Sequence, residues 1–185
     1  MEKTVVISGK EVTFKSVGTL PKLYKMQFQR DFFEDLHELS TIPLHEIILN
    51  MLKGQTVKPD VFLNVAWVLA KTADKSIPDL ARWVKSFESF SIVELIPDIQ
   101  EILSLSIGTK KSNNDRPNQG TSGGSINTET YLVLCHECKL SHDDLETMTI
   151  GMVLDYIDEY IDTHSPEGKK KNEKVIEYAD EVPWL

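Results

Sequence analysis

The chain opens on two short alternating runs, Thr4-Val-Val-Ile7 and Glu11-Val-Thr-Phe14, on either side of Ser8-Gly9-Lys10. β-Branched residues flanking a short Gly-containing turn predict an antiparallel hairpin. Beyond it the apolar period lengthens. Tyr24, Phe28, Phe32, Leu36 and Leu39 recur every three or four residues, which puts them on one face of a single helix opening around Thr19-Leu-Pro21. The same period predicts helices over 43–53, over 58–72 with Phe62, Val65, Trp67 and Leu69, over 78–87 with Leu80 and Trp83, and over 91–105. Ser91-Ile-Val-Glu94 reads as a capping box for the last of these. Trp67 and Trp83, each among aliphatic neighbours at helical spacing, are expected in the core.

The pattern then lapses. Residues 106–125 hold four of the nine glycines and one apolar residue, Ile107, so little there offsets the entropy of ordering the chain. This predicts a flexible linker over 106–127 between a head domain, 1–105, and a small C-terminal domain, 128–185. A long surface loop within one domain is the alternative. As a Gly/Ser coil the linker would reach about 25 Å and leave the second domain undocked. Helical signals resume at Ser141-His-Asp-Asp144 and at Thr149. On the helix after Thr149, one stripe is Ile150, Val153, Leu154, Ile157 and Ile161, a second is Asp155, Asp158, Glu159 and Asp162, and a third is Met152, Tyr156 and Tyr160. The first stripe is enough to hold a small domain, so the Met/Tyr stripe is available for a partner. Trp184 and Leu185 close the chain and are expected either to fold back on this domain or to anchor a docking peptide. The fold class is therefore mainly α with an N-terminal β-hairpin.

Charge sharpens the division between the two parts. Of a net charge of −9, residues 1–127 contribute nothing, with fifteen acids and fifteen bases, while 128–185 carry fourteen acids against five bases. A neutral head and an acidic tail lack the counterion-release drive for nucleic acid. No apolar run is long enough to span a membrane and the start lacks a signal-peptide pattern, so a cytosolic protein is expected. The cluster with metal-ligand residue types is Cys135-His-Glu-Cys138 with His142, which share a helix face at spacings of three and four. Completed by His164 or by a second chain, it would make a zinc site in a small regulatory or adaptor protein; the other reading is two reduced cysteines in ordinary core positions. There is no phosphate loop, nucleophile elbow or H-E-x-x-H, and an acidic helix stripe usually faces solvent. No catalytic residue and no cofactor is expected.

Four head segments then stand together: Val5-Val-Ile-Ser-Gly-Lys-Glu-Val-Thr-Phe14, Leu20-Pro-Lys-Leu-Tyr-Lys-Met-Gln-Phe-Gln-Arg-Asp-Phe32, Val65-Ala-Trp-Val-Leu-Ala-Lys-Thr-Ala-Asp74 and Ile77-Pro-Asp-Leu-Ala-Arg-Trp-Val-Lys-Ser-Phe-Glu-Ser-Phe90. In this order they resemble the tail assembly chaperones of long-tailed phages and prophages of Gram-positive bacteria. Residues 140–161, with Met148-Thr-Ile-Gly-Met-Val-Leu-Asp-Tyr-Ile157, are similar to the second reading frame such phages append by programmed ribosomal frameshifting. The resemblance implies a non-enzymatic factor of the host cytoplasm, absent from the finished virion. Its head domain would self-associate, bind the tape-measure protein and keep it soluble, while the appended part recruits major tail-tube subunits. A shorter form would end in or near the linker. The family supplies no site residues; the partner-binding candidates are the apolar faces read above, Tyr24, Phe28 and Phe32 in the head and Met152, Tyr156, Tyr160, Trp184 and Leu185 in the tail.

Overall fold

A computed structural model of the chain describes residues 1–41, 59–108 and 126–164. The expected helix over 43–53, the greater part of the expected linker and the Trp184/Leu185 terminus lie outside the described residues.

The hairpin forms as expected. Strands β1 (Glu2–Ile7) and β2 (Lys10–Lys15) pair antiparallel, with Val5 opposite Val12 and Ile7 opposite Lys10. Ser8 at φ 50° and Gly9 at φ 77° make the two-residue turn whose twist matches the strands. Val5, Ile7, Val12 and Phe14 are buried on one face, which β2 lays on α3 (Pro59–Ala73). Helix α3 is the hub of the head. Val61, Phe62, Val65, Ala66, Val68, Leu69 and Ala70 are all buried, as an apolar sequence on nearly every side requires. Around α3 pack α1 (Leu20–Phe28), α2 (Phe32–Thr41), α4 (Leu80–Lys85) and α5 (Ile92–Ile107). Trp67 and Trp83 are in the core, and the Trp67 Nε1–H donates to the Pro78 carbonyl at 2.9 Å.

Four expectations are corrected here. The single helix through Tyr24 and Leu39 is two helices. Gln29 turns left-handed at φ 55°, its N–H closes α1 on the Lys25 carbonyl, and the Asp31 carboxylate opens α2 by accepting from the amides of Phe33 and Glu34 at 2.9 and 3.1 Å. The Ser91 side chain makes no capping bond to α5, so the capping box expected there is absent. Helix α5 also runs through Ser106 and Ile107, into the expected linker, and the buried Ser106 hydroxyl bonds that of Ser16 at 2.7 Å.

The fourth correction concerns the tail. Helices α6 (Thr128–Glu137), α7 (His142–Thr147) and α8 (Ile150–His164) start where expected for the last two, with a full Ser141/Asp144 capping box and Thr149 Oγ1 accepting from the Met152 amide at 3.2 Å. They do not stand apart from the head. Tyr131, Cys135, Ile150, Val153 and Ile157 belong to the same continuous core as Phe14, Leu20 and Ile99. The Tyr131 hydroxyl donates to the Gly18 carbonyl at 3.0 Å, the Gly18 amide to Met148 at 2.8 Å and the Thr19 amide to Leu145 at 3.2 Å. Charge composition hid this docking because the contact is made by apolar side chains and backbone. Among the described residues, the head and tail helices share one apolar core.

Candidate interaction surface

Tyr24 and Phe32, expected to meet a partner, are fully buried. The aromatic stripe that marked them is the core stripe: Tyr24 packs edge-on against Phe32 at 5.6 Å between ring centres, and the half-buried Phe28 packs against Trp67 at 5.7 Å. The Tyr24 hydroxyl donates to Asp35 at 2.6 Å, and burial together with that carboxylate raises its pKa. Arg30 completes the group with two bonds to Asp35, which raise the guanidinium pKa further. These residues join α1 to α2 and leave Tyr24 and Phe32 with no face to offer.

Beside them lies the joint between head and tail. A polar cavity of about 390 Å³ is lined by Lys25, Arg30, Asp31, Asp35, Asn127 and Glu129 among others. Asp31 accepts from the Thr128 amide at 2.7 Å, Thr128 Oγ1 accepts from the Phe32 amide at 3.2 Å, and Lys25 pairs with Glu129. Burial opposes the charge on Asp31, but the Thr128, Glu34 and Phe33 amides outweigh it and hold its pKa below the usual carboxylate value. The charged groups of this cavity named here are thus engaged with one another and with backbone.

On α8 the expected partner face is exposed in part. Met152 and Tyr156, one turn apart, are 51 % and 44 % exposed. Tyr160 is half-buried and stacks on the His164 ring at 4.0 Å. Burial on the core stripe ends at Ile157: Ile161, expected in the core, is exposed. Two exposed apolar side chains of α1, Leu23 and Met26, were not marked by sequence reasoning. Their signal was present, a pair three residues apart on the side of α1 opposite Tyr24, but the larger aromatic stripe on the same helix masked it.

The cysteines are core residues. Cys135 and Cys138 are free and buried, and burial pushes the Cys135 thiol up to about 11 and raises Cys138 as well. A metal ligand needs the thiolate, so these shifts run against ligation. His142 is an exposed side chain 3.4 Å from Glu146, and among the described residues no three His, Cys, Asp or Glu side chains gather to hold a metal ion. Among them, too, no helix is long and apolar enough to cross a membrane. Compared with protein-family models, curated proteins and solved structures, the chain matches none of them.

Proposed function

We propose that this chain is a tail assembly chaperone of a long-tailed phage or prophage of a Gram-positive bacterium, a non-enzymatic factor working in the host cytoplasm. It holds the tape-measure protein soluble and brings major tail-tube subunits to it. What supports the reading is the joint order of the four head segments within residues 1–105 and of the 140–161 segment, which resemble that family. The exposed apolar pairs support it by supplying contact surface: Met152 with Tyr156 on α8 for the tube protein, and Leu23 with Met26 on α1 for the tape measure, in place of the buried Tyr24 and Phe32. Apolar side chains of this size, left in water on helix faces, are the usual anchors of helix-in-groove recognition.

Co-expression with the tape-measure and tube proteins of the same genome tests the reading. Wild type keeps the tape measure soluble and co-purifies with the tube protein. Met152→Asp with Tyr156→Asp loses the tube protein and keeps the tape measure, whereas Leu23→Asp with Met26→Asp loses the tape measure. All four positions are exposed, so the melting curves should match wild type. A wild-type chain that retains neither protein overturns the proposal.

A further inference from the structure

The face of α8 turned away from the core changes character along its length. At the helical period, Met152, Tyr156 and Glu159 fall on the side opposite Ile150, Val153 and Ile157, which are buried. The first two turns present the apolar side chains of Met152 and Tyr156 to water, and the last two are acidic, with Asp158, Glu159 and Asp162 all exposed. From Ile150 to Thr163 the helix carries four carboxylates and no Lys or Arg. An occupant of this face is therefore apolar against the start of α8 and basic against its end.

The sequence beyond His164 has that composition in the order a returning chain needs. Ser165-Pro-Glu-Gly168 consists largely of turn residues. Residues 169–174 then hold four lysines against one glutamate, and Val175, Ile176, Ala179 and Val182 follow at helical spacing. A chain that reverses over 165–168 and returns with the rise of a helix, about 1.5 Å per residue, passes one residue of α8 for each of its own. Lys170 then comes level with Asp162, Lys174 with Asp158 and Ile176 with Tyr156, and Ala179 comes within a residue of Met152. Run in the other direction, the same segment would set its lysines on Met152 and its apolar residues on the acids.

We propose that the outer face of α8 is the docking site of the chain's own residues 169–179, laid antiparallel with the lysines on its acidic half and Val175, Ile176 and Ala179 on Met152 and Tyr156. Only four residues join the segment to α8, so its concentration at this face is on the order of millimolar and modest contacts are enough to hold it there. The inference does not rest on the chaperone reading. Where that reading holds, the segment shields the surface assigned to the tube protein and has to lift before that surface is used.

The test is hydrogen exchange of the full chain, read by mass spectrometry on peptides covering 169–179, at about 1 µM and again at about 100 µM protein. Amides of this segment should exchange at least about tenfold more slowly than in an unstructured chain, equally at both concentrations. Met152→Asp with Tyr156→Asp should abolish the protection, and so should Lys169→Glu with Lys170→Glu and Lys174→Glu. Lys and Glu have similar helix propensities, so the loss in the lysine variant reports the contact and not the segment's own helicity. Adding Asp158→Lys, Glu159→Lys and Asp162→Lys to the lysine variant should restore the protection by exchanging the two charges. Every substituted position of α8 is exposed, so α5 keeps its protection throughout. The proposal is overturned by a wild-type segment that exchanges like an unstructured chain, by protection that survives either set of substitutions, or by a charge exchange that rescues nothing. It is equally overturned by protection seen only at the higher concentration, since the occupant would then be a second copy.

Discussion

Gly151→Ala decides by its sign whether the tail helices are docked. In a helix that touches nothing, replacing Gly by Ala stabilises by about 0.5–1 kcal/mol, because glycine loses more backbone freedom on folding. Here a Cβ on Gly151 would lie 2.5 Å from the Gly108 carbonyl oxygen and 3.0 Å from the Ile107 carbonyl carbon. Both are backbone atoms at the end of α5, so no rotamer change relieves the contact. Overpacking of this kind costs about 1–3 kcal/mol. With backbone on the receiving side the upper part of that range applies, and after subtracting the helix gain the net loss is about 2 kcal/mol. Urea unfolding read by tryptophan fluorescence would show the midpoint falling by about 1 M at an unchanged slope. Gly151→Ala unfolding at a higher urea concentration than wild type would refute the reasoning. It would mean that α8 does not rest on Ile107 and Gly108 in solution.

Three other expectations come from the same joint and its surroundings. Because the folded-state pKa of Asp31 is depressed, its contribution is present above the ordinary carboxylate value of 3.8 and is lost as pH falls through the lower folded value. Protection of the Phe33, Glu34 and Thr128 amides against hydrogen exchange, relative to an unstructured chain at the same pH, should therefore fall on acidification below about pH 4, and Asp31→Asn should remove most of that pH dependence; an acid-insensitive wild type counts against the assignment. Tyr131→Phe leaves the buried Gly18 carbonyl without its donor and should cost about 1–2 kcal/mol in chemical denaturation, whereas no measurable change would place that hydroxyl in water. With its thiol near 11, Cys135 should react with iodoacetamide at pH 8 about two orders of magnitude more slowly in the native chain than in urea, and one equivalent of zinc should leave the melting temperature unchanged. Rapid native alkylation would show that the α6 core opens readily.

The elements were largely legible in the sequence, and their partnerships were not. Ser8-Gly9 between alternating runs defines the hairpin, and Ser141 with Asp144 and Thr149 mark the starts of α7 and α8, because turns and caps are local chemistry. The break at Gln29 to Asp31 was hidden by an apolar spacing that continues unbroken from Phe28 to Phe32, although Asp31 followed by Glu34 is itself a start signal. Docking of α6 to α8 depends on contacts far apart in sequence, such as Tyr131 with Gly18, that no periodicity encodes. Gly18 and Gly151 were the available clue. A Cβ at either meets a neighbour at 2.9 Å or closer, and that close approach is the reason for a glycine there. The partner face misled for a related reason. A stripe of aromatic residues marks burial without saying whether the cover is another helix of the same chain or another protein, and at Tyr24 and Phe32 the chain covers its own.

That internal cover also sets a clock. The head is complete at Gly108, but the groups that meet Gly18, Phe33 and Ile107, namely Tyr131, Met148 and Gly151, are synthesised only afterwards. At about 5–20 residues per second, the ribosome needs about 3–10 s to extend the chain from there to residue 164. For those seconds each newborn head carries an open apolar seam, and a helix supplied by another chain meets it without displacing anything. Once α8 has closed over Ile107, the same helix has to compete with a segment tethered beside its own site.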